Sequence, residues 1–503
     1  MEISSFPEDI KKLVIPEPSG RFVYHCLGCG TDWGIDELLY TCPGCNSVLL
    51  IEDRDWDRLK KIPGEMWRRI FDYRKMIDVP SMKGIFLFYE LIAPVIPLED
   101  VICLGEGHTP VVEANGSLQE WVGLRFFVKN DGQNPSASFK DRGMASAFSF
   151  INYAMKKKGM ERVLAVCAST GDTSASAALY AAYLGDRVKS VVLLPHGKVT
   201  PQQLAQPLGN GATVLEIPGV FDDCMKVVEF LADNYPVALL NSKNAWRIKG
   251  QESYSYEIAQ AFNYDLENYV IVAPIGNAGN ITAILSGFLN LYDLGIITAL
   301  PQVVGVQSEH ANPVYLYYLE PDSKKRRFSP VKVKPSVAQA AMIGNPVSMP
   351  RVIYLVDKYR KIAGDESFIV EEVKEQEIME AMLIANRNGH IVCTQGGEGI
   401  AGLRKALRRG AVEKSKTAIV DSTAHILKFL VFQEKYFANN FEPEFEIEVN
   451  DALRNFPKLV SPSGLEKTPA SGVSLTKAEF DLFVRRTAEE IADLLGIERK
   501  KKD

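Results

Sequence analysis

Short β-branched runs separated by segments of helical length dominate the middle of the chain. Residues 162–167, 188–195, 213–218, 237–241, 269–274, 302–307, 390–394 and 417–421 are apolar runs, each followed by Gly, Asn, Ser or Thr and then by a helical stretch. This alternation predicts βαβ units stacked into parallel sheet. In such sheets ligands bind beyond the carboxyl ends of the strands, where loops open into helices. Outside this region the pattern changes. Residues 1–60 show little apolar periodicity, 61–110 read as connecting helix and loop, and 436–503 form an extension. That extension carries an amphipathic helix from about Thr476 to Leu495, read as a packing element.

Composition narrows the class. A chain of 503 residues, 46% hydrophobic and 24% charged, has the proportions of a globular protein with about three domains. Its net charge of -6 argues against nucleic acid or anionic membrane as partner and favours a small molecule. The most apolar region, 84–104, is interrupted by Glu90, Pro94, Pro97, Glu99 and Asp100, so no membrane span is expected. The first ten residues lack the basic and apolar regions of a signal peptide, which makes cytoplasmic residence the default.

Four loops at predicted strand ends carry the candidate chemistry. In the run Asn134-Pro-Ser-Ala-Ser-Phe-Lys-Asp-Arg-Gly143, Lys140 stands at the start of a small-residue helix, with Ser136 and Ser138 available as caps. A lysine amine attacks an aldehyde effectively only when its pKa is lowered or the product is captured. Taken alone, Lys140 reads as a solvated side chain beside Asp141 and Arg142. The loop Pro274-Ile-Gly-Asn-Ala-Gly-Asn280 lets several backbone N–H groups converge on one anion, and lacks the spacing of a dinucleotide loop. Ser169-Thr-Gly-Asp-Thr173 offers hydroxyls at a helix start, and residues 241–251 place amides and Arg247 at a strand end. Each of these three loops also reads as a simple turn or cap. Three anion-ready loops and a lysine on neighbouring strand ends are harder to ascribe to coincidence.

A separate signal lies at the amino terminus. Cys26-x-x-Cys29 and Cys42-x-x-Cys45 supply four thiolates at the spacing of a tetrahedral structural zinc site, with Gly28, Gly30, Pro43 and Gly44 as turn residues. A closed four-thiolate site serves folding, not catalysis. The other cysteines, Cys103, Cys167, Cys224 and Cys393, are scattered among apolar residues and read as core fillers.

Taken together, the lysine run, the hydroxyl loop, residues 241–251 and the glycine loop resemble threonine synthase of the kind found in plants and many prokaryotes. Further matches are Leu104-Gly-Glu-Gly-His-Thr-Pro110, Gln203-Leu-Ala-Gln206, Ile343-Gly-Asn-Pro-Val-Ser348 and Asp421-Ser-Thr-Ala-His-Ile-Leu-Lys428. The resemblance covers residues 100–435. It implies the tryptophan-synthase-β-like (fold type II) pyridoxal phosphate fold, an α/β architecture of two parallel-sheet domains. The catalytic region would be 111–435, its small domain at roughly 150–250 inserted in the large one, preceded by the zinc ribbon. It also implies the reaction of O-phosphohomoserine with water to give threonine and phosphate, a homodimer, and a role for each matched residue. Lys140 would form the cofactor imine and then act as base. Gly276, Asn277, Ala278, Gly279 and Asn280 would hold the cofactor phosphate, Thr423 would face the pyridine nitrogen, and Asp172 would stand beside the pyridoxal hydroxyl. Ser169, Thr173, Asn241 and Arg247 would receive the substrate phosphate. Similar ribbons occur in some prokaryotic members. Rival readings are a cysteate synthase or dehydratase of the same fold, and a zinc-ribbon binding protein with a degenerate enzyme domain.

Overall fold

The computed structural model describes residues 2–169, 171–196, 201–219, 221–235, 237–469 and 472–500. It divides into two units, Met1–Val449 and Asn450–Asp503. The first unit opens with an antiparallel ribbon of β1 (Phe22–Cys26), β2 (Asp32–Gly34) and β3 (Leu49–Asp53), in the order β2-β1-β3. Then come β4 (Val111–Glu113) and β5 (Phe126–Asn130), followed by β6 (Val163–Ala168), β7 (Val188–Pro195), β8 (Thr213–Ile217) and β9 (Val237–Leu239). Last are β10 (Tyr269–Pro274), β11 (Gln302–Ser308), β12 (Phe368–Val373) and β13 (Thr417–Ser422).

Two sheets result. Strands β6 to β9 form a parallel sheet in the order β8-β7-β6-β9, and its sequence lies between two strands of the other. The larger sheet runs β12-β11-β10-β13-β5-β4, parallel except for β4. Its central strands read as unbroken apolar runs because both faces are covered, and Val270, Ile271, Val272, Ala418, Ile419 and Val420 are all fully buried. Parallel pairing has a positional consequence. Ser422 is in register with Asn130, and β10 and β5 flank β13 on either side, so three strands end side by side.

One expected strand does not form. Residues 390–394 contribute only an isolated bridge between Val392 and His425, and the helix Thr394–Arg408 starts at once. Asn386 explains this locally: its amide accepts from Val392 N at 2.8 Å and donates to Val392 O at 3.0 Å, replacing the ladder bonds a strand would need.

The helix Lys140–Lys158 is held by close backbone packing and by buried charge. A Cβ at Gly250 would stand 2.1 Å from the Arg142 carbonyl oxygen, and one at Gly143 would stand 2.9 Å from that of Arg247. Glycine at both positions lets this helix meet the helix Ala245–Gln251 backbone to backbone. Beneath it, Arg142 bonds Asp131 at 2.7 Å and Glu257 at 2.5 Å, while Lys129 reaches Glu257 at 2.7 Å and the Thr109 hydroxyl at 2.7 Å. Burial alone would push the Glu257 carboxyl up, but Arg142 and Lys129 override it and hold it well below its usual range.

The ribbon packs on the same unit. Trp246 Nε1 donates to the Tyr24 hydroxyl at 3.0 Å, and Phe150 stacks on Trp246 with centroids 4.2 Å apart. Arg351 donates to the Leu49 carbonyl from Nε and Nη2 at 2.9 and 2.7 Å. The second unit holds the helix Lys477–Leu495, started by a reciprocal cap between Thr476 and Glu479. No residue of this helix is buried within its own unit. Among the described residues no helix is long and apolar enough to cross a membrane.

Removing one member of a buried ion network leaves the others uncompensated, at a cost of about 3–5 kcal/mol. Glu257→Ala is therefore expected to lower the unfolding free energy by about that amount, read from equilibrium urea denaturation. A loss within the error of the extrapolation would show that the network does not hold the helix.

Candidate active site

The loop after β5 is sewn to the segment after β13. Phe139 N donates to the Thr423 carbonyl at 2.8 Å, His425 N donates to that of Ala137 at 3.0 Å, and Ser138 bridges Ala424. Ala137 adopts a left-handed backbone, φ +65°. The expected serine caps do not form. Phe139 is the cap residue, and Ser136 instead gives its N–H and its hydroxyl to the two oxygens of Asp141, each at 2.6 Å. The Ser138 hydroxyl is buried without a hydrogen-bond partner among the described residues.

Lys140 begins the helix at the mouth of this loop. Its Nζ lies 4.1 Å from the centroid of the Phe139 ring. Burial, aided by the Arg247 cation, pushes its ammonium down to about 7; Lys428 acts in the same sense, and the carboxylates Asp172 and Asp421 oppose. A neutral amine near pH 7 can act as nucleophile and base.

The glycine loop follows β10. Ala278 takes φ +61° and caps the helix Gly279–Asp293, whose first amides have no intrahelical acceptor. A Cβ at Gly276 would stand 2.9 Å from Ala341 Cα, so only glycine lets this turn approach its neighbour. Asn277 is braced by the matched segment 343–348: its Oδ1 accepts from Val347 N at 3.3 Å and its carbonyl from Ser348 N at 3.2 Å. Asn280 points its amide inward, donating to Asp421 at 2.7 Å. Burial, with the Asp131 carboxylate nearby, raises Asp421 well above the usual carboxylate range. Thr423 is buried at the end of β13, its hydroxyl 3.7 Å from Cys393 Sγ.

The smaller sheet supplies the remaining residues. Ser169 follows β6 directly and its hydroxyl accepts from Gly171 N at 3.3 Å; Thr170 lies outside the described residues. Asp172 opens the helix Asp172–Leu184 with Thr173 half-buried in its first turn, and its carboxylate pairs with Lys428 at 3.1 Å. Asn241, buried beyond β9, accepts from Ala168 N at 3.3 Å. Arg247 is only 3% exposed, yet no carboxylate among the described residues pairs with it. Its Nη1 donates to the Leu240 carbonyl at 2.9 Å, and its Nε has no partner. Burial holds this guanidinium down at about 10. An uncompensated buried cation is costly, which suits a site built to receive an anion.

The structure thus gathers the lysine, the glycine loop, Thr423 and the hydroxyl and arginine loops at the carboxyl ends of β5, β13, β10, β6 and β9. The four cysteines sit apart, on the ribbon. Their Sγ atoms all lie within 4.8 Å of one another, with Cys26 to Cys45 at 3.4 Å and Cys29 to Cys42 at 3.6 Å. The N–H groups of Gly28 and Cys29 both point at Cys26 Sγ from 3.4 Å, a turn that presents thiolates to one centre. Sequence reasoning assigned no role to Asp131, Glu257 or Lys428. It also passed over Glu106, buried in the matched 104–110 segment, bonded by Tyr180 at 2.6 Å and pushed up to about 7 by burial.

A profile of pyridoxal-phosphate dependent enzymes matches residues 102–422. The threonine synthase of Methanocaldococcus jannaschii is 35% identical over 412 residues, covering 80% of this chain and 92% of that protein. The chain belongs to this pyridoxal phosphate family, in its threonine synthase branch. A chloroplastic threonine synthase of Arabidopsis thaliana, threonine synthase 2, is 34% identical over 82% of this chain and 77% of its own length. Among solved structures, Escherichia coli threonine synthase aligns with a TM-score of 0.60 at 20% identity, over 84% of this chain and 94% of that one, and shows the shared fold. The expected fold class is thereby borne out.

A lysine that reacts with an aldehyde must do so as a free amine. With its pKa held at about 7, Lys140 is neutral above that pH and charged below it. The rate at which the cofactor-free chain takes up pyridoxal phosphate should rise to half its maximum near pH 7, whereas an ordinary lysine titrates at about 10.4. A midpoint above pH 9 would contradict the environment described.

Proposed function

We propose that this chain converts O-phosphohomoserine and water to threonine and phosphate. The observation that carries the reading is Arg247, a buried guanidinium with no carboxylate partner among the described residues, near the lysine and in the helix that follows β9 of the smaller sheet, whereas the glycine loop follows β10 of the larger one. One anion site would hold the cofactor phosphate and a second the substrate phosphate, as a reaction with two phosphorylated components requires. The relatives named threonine synthase support the same reading.

Pyridoxal phosphate fits the residues present: the first amides of the helix Gly279–Asp293 and the tight turn at Gly276 form a cradle, and the Ser138 hydroxyl is a buried polar atom left for a ligand. Bound there, the cofactor supplies an aldehyde and an electron-withdrawing ring. Gly276, Asn277, Ala278, Gly279 and Asn280 would hold its phosphate, the Thr423 hydroxyl would serve its ring nitrogen, and Asp172 would serve its ring hydroxyl. Ser169, Thr173, Asn241 and Arg247 bind the substrate phosphate and so orient the reacting carbons. Lys140 takes one proton from the substrate at Cα and one at Cβ before phosphate leaves Cγ; a proton is then returned to Cγ, water adds at Cβ, and a proton is returned to Cα. The departing phosphate can assist the later proton transfers.

The ribbon is read as one structural zinc held by Cys26, Cys29, Cys42 and Cys45. Thr31 and the neighbouring thiols draw Cys29 down to about 6, while the crowded thiols push Cys45 up to about 12, so that a metal would have to displace the protons these cysteines otherwise share. The purified chain is expected to carry about one zinc by elemental analysis, and Cys26→Ser to lose it. Wild-type protein without zinc, equally folded, would remove this assignment.

The substrate is tested by phosphate release from O-phosphohomoserine, compared with O-phosphoserine plus sulfite. Threonine should form only from the first. Lys140→Ala should abolish the visible absorbance of the bound cofactor, and Arg247→Ala should lower kcat/KM by about 10²-fold or more, since it leaves the phosphate partly unpaired. Product only from O-phosphoserine and sulfite would transfer the chain to the cysteate synthases.

A further inference from the structure

Lys428 closes the matched segment 421–428 and has no part in the chemistry above. It lies in the turn Ile426–Lys428 just beyond β13, with its side chain 13% exposed. An ammonium has three donors, and here each has a separate acceptor: Asp172 at 3.1 Å, the Gln206 side-chain oxygen at 2.8 Å and the Ser136 carbonyl at 2.9 Å. Asp172 and Gln206 belong to helices of the smaller sheet, Asp172–Leu184 and Pro201–Gly209. Ser136 and Lys428 follow β5 and β13 of the larger one. A second bond crosses at the same place, from Gln206 Nε2 to the Ser136 carbonyl at 3.1 Å.

We propose that Lys428 is a positioning residue: it latches the smaller sheet to the lysine loop and neutralises the Asp172 carboxylate, whose charge otherwise acts on Lys140. The proposal rests on the reading above in that Asp172 and Lys140 are taken to face the cofactor. The charges around Lys140 make it testable. Arg247 and Lys428 disfavour its ammonium, while Asp172 and Asp421 favour it; Asp141, which bonds Ser136, also feels Lys428. Replacing Lys428 by a neutral side chain removes one cation and leaves Asp172 unopposed. Both changes favour charged Lys140, so the pH at which Lys140 becomes neutral must rise.

The full-length chain and its variants Lys428→Met and Lys428→Arg are compared by three measurements. In the pyridoxal phosphate-loaded protein, hydrogen exchange of amides 172–184 should quicken about tenfold in the methionine variant, as a latch between the sheets is lost. The pH midpoint of pyridoxal phosphate uptake should rise by about one unit, the size of a single nearby charge. The arginine variant, which keeps the charge, should restore the midpoint to near the wild-type value. For O-phosphohomoserine, kcat/KM should fall about tenfold or more in the methionine variant and recover in the arginine variant. An unchanged exchange rate or an unchanged midpoint in a folded methionine variant overturns the proposal. If the methionine variant does not fold, Gln206→Ala removes one acceptor and is read by the same exchange measurement, where no change again overturns it. Failure of wild type to release phosphate would refute the substrate reading, while exchange and uptake would still decide the latch.

Discussion

Everything in the cleft depends on a knot of charge that never meets solvent. Lys129 and Arg142 face Asp131 and Glu257 in a balanced set, two cations against two carboxylates, all under the first turn of one helix. Such a set gains little over an apolar core, but it tolerates only one arrangement of its members. Because Arg142 stands two residues beyond Lys140, satisfying the knot fixes where the helix starts and which way the lysine leaves it. The close contact at Gly143 and Gly250 then carries that constraint to the helix bearing Arg247. Lysine and arginine are placed by the same packing, and their mutual repulsion is one reason the lysine is held near neutrality.

The two sheets divide the work. The larger contributes strand ends lined by the glycine loop, Thr423 and the lysine loop, stitched together by backbone hydrogen bonds that leave little freedom. The smaller contributes short polar side chains and a lone guanidinium. A phosphate seated on that guanidinium and a second seated on helix amides need different physics: the first is bound by charge, the second by oriented dipoles that require no basic residue.

The βαβ alternation located most strands within a residue or two, because buried parallel strands leave a dense apolar signature. The same signature misled at 390–394, where Asn386 satisfies the backbone that a neighbouring strand would have taken. Lys140, Arg247 and the glycine loop were legible as motifs, since their chemistry is local. The Arg142–Glu257 and Lys428–Asp172 pairs were not, for their partners lie 115 and more residues apart and no local pattern announces them. Ser136 and Ser138 looked like helix caps by spacing, yet the buried Asp141 carboxylate claimed Ser136 instead.

The ribbon, a separate segment by its sequence, shares a core with the α/β sheets. Tyr24 bonds Trp246, Trp246 stacks on Phe150, and Arg351 reaches across to the Leu49 carbonyl, so the beginning of the chain is a wall of the arginine helix. Its modularity is only apparent. Cutting the chain at residue 60 would strip one side from an aromatic stack and uncover a buried guanidinium, and the excised ribbon and the remainder would each keep half of a single interior.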